Sequence, residues 1–199
     1  MTVSWRTAAG SALLTAGSPE RERLEGRLHW VAQRYAEHGV CIDWRPEPEP
    51  APAIVVAGRE TSPVRSLPTL QQVAAELPAD RVTLLLVRQL MAWNPERQQH
   101  ARRKGATPGA GAQVAAVRYD DGRGDAVTIF NELLHVLGLT DAELGVAPDH
   151  PQHEPSPGMW KFVAAICRSA ADRATKRALI IEKERCLAAE PGAARCYGS

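Results

Sequence analysis

The segment NELLHVLGLTD, which begins at Asn131, constrains this chain of 199 residues more than any other part of the sequence. On a helix, Asn131 and His135 project from one face on successive turns, because they are four residues apart. Glu132 lies about 100° round the helix from Asn131, within reach of a group held between the two. Gly138 predicts the end of the helix, since glycine adopts the left-handed backbone conformation at low cost. The turn that follows is expected to bring Asp141 back towards His135.

The groups assembled in this way are those that a hydrolytic zinc site uses: a nitrogen ligand, a carboxylate ligand, a polar amide and a second carboxylate. Three protein ligands leave one position on the metal for water, and the metal lowers the pKa of that water towards neutrality. A neighbouring carboxylate then takes the proton and passes it to the leaving amine. The segment therefore favours metal-assisted hydrolysis.

The segment resembles the zinc-binding helix of the metzincin metalloproteases, whose pattern is H-E-x-x-H-x-x-G-x-x-H followed by a methionine turn. Aspartate at the third ligand position is similar to the small secreted proteases of the snapalysin type. The resemblance implies that Glu132 is the general base and that His135 and Asp141 are ligands of one zinc ion. It also implies that Gly138 forms the turn and that Met159 lies under the metal.

The function implied by this resemblance is that of a metalloendopeptidase. Metal-activated water attacks a peptide carbonyl, and Glu132 serves first as base and then as acid. The substrate is a peptide or protein, which is expected to pair in extended form with an edge strand predicted at residues 112–119, above the metal.

Asn131 departs from the family pattern, because it stands where metzincins have their first histidine. A carboxamide oxygen is a weaker zinc ligand than imidazole, so the substitution either abolishes tight zinc binding or is compensated by another histidine. His150 and His153, in the loop after the motif, are the nearest replacements, and His100 is a more distant one. A different divalent metal, bound by the two carboxylates and His135, is a further alternative.

Three functions therefore stay open at this point. The chain is a metal-dependent peptidase, a degenerate pseudoprotease that binds a peptide or protein without cleaving it, or an accessory protein without metal. The last is consistent with an ordinary amphipathic helix, whose core face carries Ile129, Leu133 and Val136. In that case His135 is a satisfied core histidine and Glu132 a surface residue.

The order of predicted elements follows the metzincin order. Helices are predicted from Ser18 to about residue 38, briefly after Pro68, over 126–137 and from 159 towards 188. Strands are predicted at 40–46, 54–57, 82–87 and 112–119. A long polar loop is predicted after residue 87. We predict a single domain over residues 1–199 of α/β (or α+β) class with a zincin-like, metzincin-like fold. It contains a small mixed sheet, an N-terminal helix, an active-site helix and a long C-terminal helix.

Charge and composition argue against two classes of partner. The net charge of +1 gives no electrostatic case for nucleic acid, and the basic cluster at residues 97–104 is interpreted as a solvated loop. No apolar run approaches the length of about 20 residues that spans a bilayer. No signal-peptide core is evident, so the chain is expected to be cytoplasmic as written or a mature secreted form. Cys186 and Cys196 are predicted to pair in an exported protein; otherwise all four cysteines are expected to be reduced.

Overall fold

The computed structural model of the protein describes residues 1–57, 67–94, 96–119, 125–144, 155–169 and 173–189. The strands are β1 (Thr2–Thr7), β2 (Asp43–Pro46), β3 (Ile54–Ala57), β4 (Val82–Val87), β5 (Gln89–Asn94), β6 (Gln99–Arg102), β7 (Gly105–Ala106) and β8 (Val114–Arg118). The helices are α1 (Pro19–Ala36), α2 (Leu70–Glu76), α3 (Ala126–Val136), α4 (Asp141–Leu144), α5 (Pro157–Arg168) and α6 (Arg173–Ala189). The predicted mixture of α and β structure, with small mixed sheets, is confirmed.

The main sheet has five strands in the order β2-β1-β4-β8-β7. The first four are parallel to one another, whereas β7 runs antiparallel to β8 and forms one edge, with Gly105 opposite Val117. All six residues of β4 are buried, as expected of a central strand covered on both faces. The prediction for residues 82–87 is confirmed, whereas β1, next to β4, was not predicted.

The strand β8 is an inner strand, and its prediction as the edge of the sheet was wrong. It lies between β4 and β7, so β7 takes the edge position. The reason is burial on both faces: Ala115 and Val117 belong to one hydrophobic core and Val114 and Ala116 to the other. A continuous apolar run of this kind is typical of an inner parallel strand.

A second, three-stranded sheet replaces the long polar loop that was predicted after residue 87. Its order is β3-β5-β6, with β3 parallel and β6 antiparallel to β5. The basic cluster is therefore not a loop throughout, since His100 and Arg102 lie on β6. Backbone pairing to β5 orders this segment, and the Trp93 and His100 rings meet across the strands at 5.3 Å between centroids.

The two sheets are joined by very short passages of chain. Arg88 alone separates β4 of the main sheet from β5 of the small one. The return passage runs through Arg103 and Lys104: the Arg103 amide donates to the carbonyl of Leu90, and the carbonyl of Lys104 accepts from the Arg118 amide. Both residues of the return passage are thus tied by backbone hydrogen bonds to a neighbouring strand.

The helix α1 begins where the sequence predicts it, with the Ser18 side chain accepting a hydrogen bond from the Arg21 amide and proline at the first position. Its buried face consists of the apolar residues predicted from the spacing, Leu24, Leu28, Val31 and Tyr35. The prediction of a single long C-terminal helix was wrong, because α5 ends at Arg168 and α6 begins at Arg173. The α5 C-cap, Ser169, leaves the helical conformation.

Two hydrophobic cores cover the two faces of the main sheet. The larger packs α1, α3, α5 and α6 against one face, and the smaller packs α2 and the small sheet against the other. Among the described helices, none has the length and apolar character needed to cross a membrane. Cys186 is disulfide-bonded, whereas Cys41 and Cys167 are free; Cys196, the predicted partner of Cys186, lies outside the described residues.

Candidate functional site

The helix α3 carries the motif and ends as its sequence predicts. The Asp125 side chain caps its N-terminus by accepting from the Val127 amide. At the other end Gly138 has a φ of +94°, and its amide donates to the carbonyl of His135 at 2.9 Å. The Leu139 amide donates to the carbonyl of Leu134 at 3.0 Å, which completes a Schellman motif. The chain therefore turns back sharply after one glycine.

This turn brings His135 and Asp141 together. The Nδ1 atom of His135 lies 2.8 Å from the carbonyl oxygen of Leu139, and its Nε2 atom lies 3.2 Å from Oδ1 of Asp141. A carbonyl only accepts hydrogen bonds, so Nδ1 is the protonated nitrogen. On a neutral ring, Nε2 then directs a lone pair towards a carboxylate oxygen. A proton on Nε2, or a cation held between the two atoms, makes this contact attractive.

Glu132 is buried beside this pair, so its alternative interpretation as a surface residue was wrong. Its Oε2 atom accepts a hydrogen bond from the Thr107 hydroxyl at 2.7 Å. Burial raises the pKa of the Glu132 carboxyl, the Thr107 hydrogen bond and His135 lower it, and the charge of Asp141 raises it again; the net direction is upward. A raised pKa makes this carboxylate a better proton acceptor than an exposed glutamate.

Gly105 of β7 lies directly behind the Glu132 side chain. A Cβ atom at Gly105 would overlap the carboxylate, coming within 2.8 Å of Cδ of Glu132 and closer still to Oε1. The backbone of β7 and the carboxyl group of α3 are therefore in direct apposition, which only glycine permits without displacing Glu132.

All three side chains open onto one cleft of about 620 Å³. The rest of its lining is mostly small: Ala57 and Ala92 come from the small sheet, Gly105 and Ala106 from β7, and Thr107, Gly109 and Ala110 from the loop that follows. Leu139 and Thr140 complete the wall on the side of the α3 turn, and Arg103 contributes a positive charge. The cleft thus runs alongside the edge strand of the main sheet.

Other residues predicted for the site lie elsewhere. Asn131 is half-buried on the preceding turn of α3 and is not among the described residues that line the cleft. His100 is on β6 against Trp93, and Met159 is in the first turn of α5, where it packs against the larger core. The site-residue predictions for His150 and for His153 fall on residues outside the described ranges.

Two of the described side chains, one imidazole and one carboxylate, are of the types that bind divalent metals. His135 and Asp141 converge, and the bond from Nδ1 of His135 to a backbone carbonyl is the arrangement that orients metal-binding histidines. Within the described ranges, no group of three or more histidine, cysteine, aspartate or glutamate side chains has the spacing to hold a metal ion. A site of the zinc type therefore needs a third ligand from Asn131 or from outside these ranges.

Sequence reasoning missed the residues that hold the turn. Glu143 accepts hydrogen bonds from the amide and hydroxyl of Thr140 at 2.8 and 2.9 Å, and Lys183 of α6 reaches the same carboxylate. Thr140 and Glu143 match the T-x-x-E capping pattern, which could have predicted the start of α4. Thr107 and Lys183 carry no local signal, because their contacts join segments far apart in sequence.

In comparisons with known proteins, no family model, no curated protein and no solved structure matches this chain.

Proposed function

We propose that this chain is a metzincin-like, metal-dependent peptide-bond hydrolase with one divalent ion, zinc by preference, at His135 and Asp141. One observation carries the proposal: Nε2 of His135 and Oδ1 of Asp141 lie 3.2 Å apart on the wall of a cleft, with the carboxylate of Glu132 buried beside them. An imidazole and a carboxylate are both common zinc ligands, and a second carboxyl group that is not a ligand is what the hydrolytic chemistry requires.

The edge strand β7 supports an extended peptide as the substrate. Its residues Gly105 and Ala106 line the cleft, and among the described strands β7 pairs with β8 alone. The free side of an edge strand offers backbone donors and acceptors to an added strand. The alanine and glycine residues around it leave room for the side chains of such a peptide.

Each side chain then has a distinct role. A divalent ion held by His135 and Asp141 would supply Lewis acidity that lowers the pKa of a water molecule. His135 is oriented by its Nδ1 bond to the carbonyl of Leu139, which leaves Nε2 for the metal. Glu132 takes a proton and returns it to the leaving amine, and Thr107 holds its carboxylate in place. For the third ligand the sequence offers Asn131, one turn before His135, and the histidines His150 and His153 outside the described ranges.

A second function, peptide binding without cleavage, is favoured by a specific observation. Asn131 stands at the position of a strong ligand, and the described residues provide only a pair of ligands. A cleft that keeps the edge strand but holds the metal weakly would still capture an extended peptide or protein partner.

Metal content and proteolysis of an unfolded protein separate the two functions. Protein purified without added metal is analysed for bound zinc and then incubated with casein, together with Glu132→Gln and His135→Ala. A hydrolase contains about one ion per chain and loses it in His135→Ala; Glu132→Gln retains the ion but cleaves about 10²–10⁴ times more slowly. The binding protein cleaves nothing above a chelator-treated control. Equal cleavage by parent and Glu132→Gln would contradict the proposed role of Glu132.

A further inference from the structure

Lys183 of α6 is a buried lysine that reaches the turn beside the candidate metal site. Its side chain is 1% exposed, and Nζ lies 2.6 Å from the carbonyl oxygen of Gly138. The same nitrogen lies 2.7 and 2.8 Å from the two carboxylate oxygens of Glu143, and 5.1 Å from the ring centroid of Phe162. Lys183 therefore bridges the first residue of the turn and the helix α4 that carries Asp141.

Glu143 connects Lys183 to the backbone of the turn. Its Oε2 atom accepts from the amide of Thr140 at 2.8 Å and from the hydroxyl of Thr140 at 2.9 Å. The residues on either side of Thr140 are the two that touch His135, since Leu139 accepts from Nδ1 and Asp141 faces Nε2. Fixing Thr140 thus fixes both contacts of the imidazole ring.

The packing of α6 holds Lys183 at this place. A Cβ atom at Gly138 would lie 2.8 Å from Cγ1 of Ile180, one turn before Lys183, and one at Gly111 would overlap the end of the same side chain. The Gly111 amide donates to the carbonyl of His135 at 3.0 Å. Two glycines around the end of α3 thus allow the close approach of α6.

A buried ion pair of this kind is weak evidence for a gain in stability, because desolvation of the two charges offsets much of their attraction. The ion pair instead holds the groups that it joins in one defined geometry. We propose that Lys183 is a positioning residue of the metal site: through the carbonyl of Gly138 and the carboxylate of Glu143, it holds the turn that presents Leu139 and Asp141 to His135. This inference rests on the proposed function.

The test compares Lys183→Met with Lys176→Met as a matched control. Lys176 is seven residues earlier, on the same face of α6, and is also buried. It lies near Cys167 of α5: burial raises the pKa of that thiol to about 11, and the charge of Lys176 partly opposes the rise. Both variants remove a buried ammonium group from one helix, so a general loss of stability affects both.

Zinc affinity is measured with a chromogenic chelator, and the ring signals of His135 are followed by NMR. Removing a group that orients a metal ligand typically lowers affinity about 10–100-fold, so we expect that loss in Lys183→Met and less than about a twofold change in Lys176→Met. Equal losses in the two variants, or none in Lys183→Met, would overturn the inference.

A second variant, Glu143→Gln, tests the same link if Lys183→Met does not fold. It keeps the shape of the side chain but removes the charge facing Lys183. On its own, Glu143→Gln should weaken the zinc complex, and an unchanged zinc affinity would contradict the link. Where Lys183→Met does fold, combining the two changes should cause no additional loss, because the two residues act as a unit. Additive losses would count against the link.

A parent protein that binds no zinc would refute the proposed function but leave the positioning role to be read from NMR. The chemical shifts of the His135 ring should then change in Lys183→Met and remain unchanged in Lys176→Met. Unmoved signals in both variants would refute the positioning role as well.

Discussion

The hydroxyl of Thr107 donates to the carboxylate of Glu132 over 2.7 Å, from the residue that directly follows the edge strand β7 to the middle of α3. This hydrogen bond favours the ionised carboxylate, whereas burial favours the neutral acid. The strand edge and the proposed base are therefore coupled by one bond, and changes in either have consequences for the other.

Replacing Thr107 with valine should raise the pKa of Glu132 further, because the bond that lowers it is lost while the burial remains. The acidic limb of the pH dependence of kcat/KM should then move to higher pH, since the base must be ionised to act. Thr107→Ser keeps the hydroxyl and should retain the parental profile. A profile that is the same in all three proteins would mean that the bond does not control the base.

The stability of the metal-free protein should also depend on Glu132. A carboxyl whose pKa is raised in the folded state stabilises the fold below its ordinary pKa of 4.5, and this contribution is lost as the pH rises through the folded value. Glu132→Gln is neutral at every pH. The free energy of unfolding of the variant, relative to the parent, should therefore increase as the pH rises above the ordinary pKa of 4.5, in urea titrations with a chelator present. A difference in unfolding free energy between variant and parent that stays constant with pH would indicate that the pKa of Glu132 is not shifted.

Gly105→Ala should lower the rate of hydrolysis at least about tenfold with little change in melting temperature. The added methyl overlaps the flexible end of Glu132, which moves aside at small cost but loses its position for proton transfer. Gly109→Ala is the matched control, because it also lines the cleft and its added Cβ meets nothing within 4 Å. Equal rates in the two variants would show that the position of Glu132 against β7 is unimportant.

Asn131→His should tighten zinc binding and create or raise peptidase activity, because it restores a nitrogen ligand one turn before His135. Isothermal titration with zinc and casein hydrolysis measure the two effects. Asn131→Asp adds a charge without an imidazole and serves as the comparison. Unchanged zinc binding in Asn131→His would argue against a metal on this face of α3.

Features encoded by neighbouring residues could be predicted from the sequence. The cap at Ser18, the spacing of the apolar residues of α1 and the glycine at position 138 each act within a few residues, and all three are observed. The approach of Asp141 to His135 followed from the same local turn. The T-x-x-E pattern at Thr140 was equally local and was overlooked.

Features that depend on distant partners could not be predicted in this way. The strands β5 and β6 carry polar and charged residues, and their order comes from pairing with each other and with β3. The edge of the main sheet is formed by β7, a strand of two residues, which is too short to show a hydrophobic pattern. The contact of Lys183 with Gly138 joins residues 45 positions apart. Tertiary structure overrides local propensity at each of these places.

The passages between the two sheets determine what kind of molecule the cleft admits. Ala57 and Ala92 on one side and Gly105 and Ala106 on the other belong to different sheets, yet Arg88 alone separates β4 from β5. A single residue is too short to form a hinge about which the two sheets could move apart at that point. With so little chain between these two strands, we expect the two walls to keep a fixed separation, so that a polypeptide enters the cleft in extended form. We therefore expect cleavage or capture at tails and loose loops of partner proteins, and not within their folded domains.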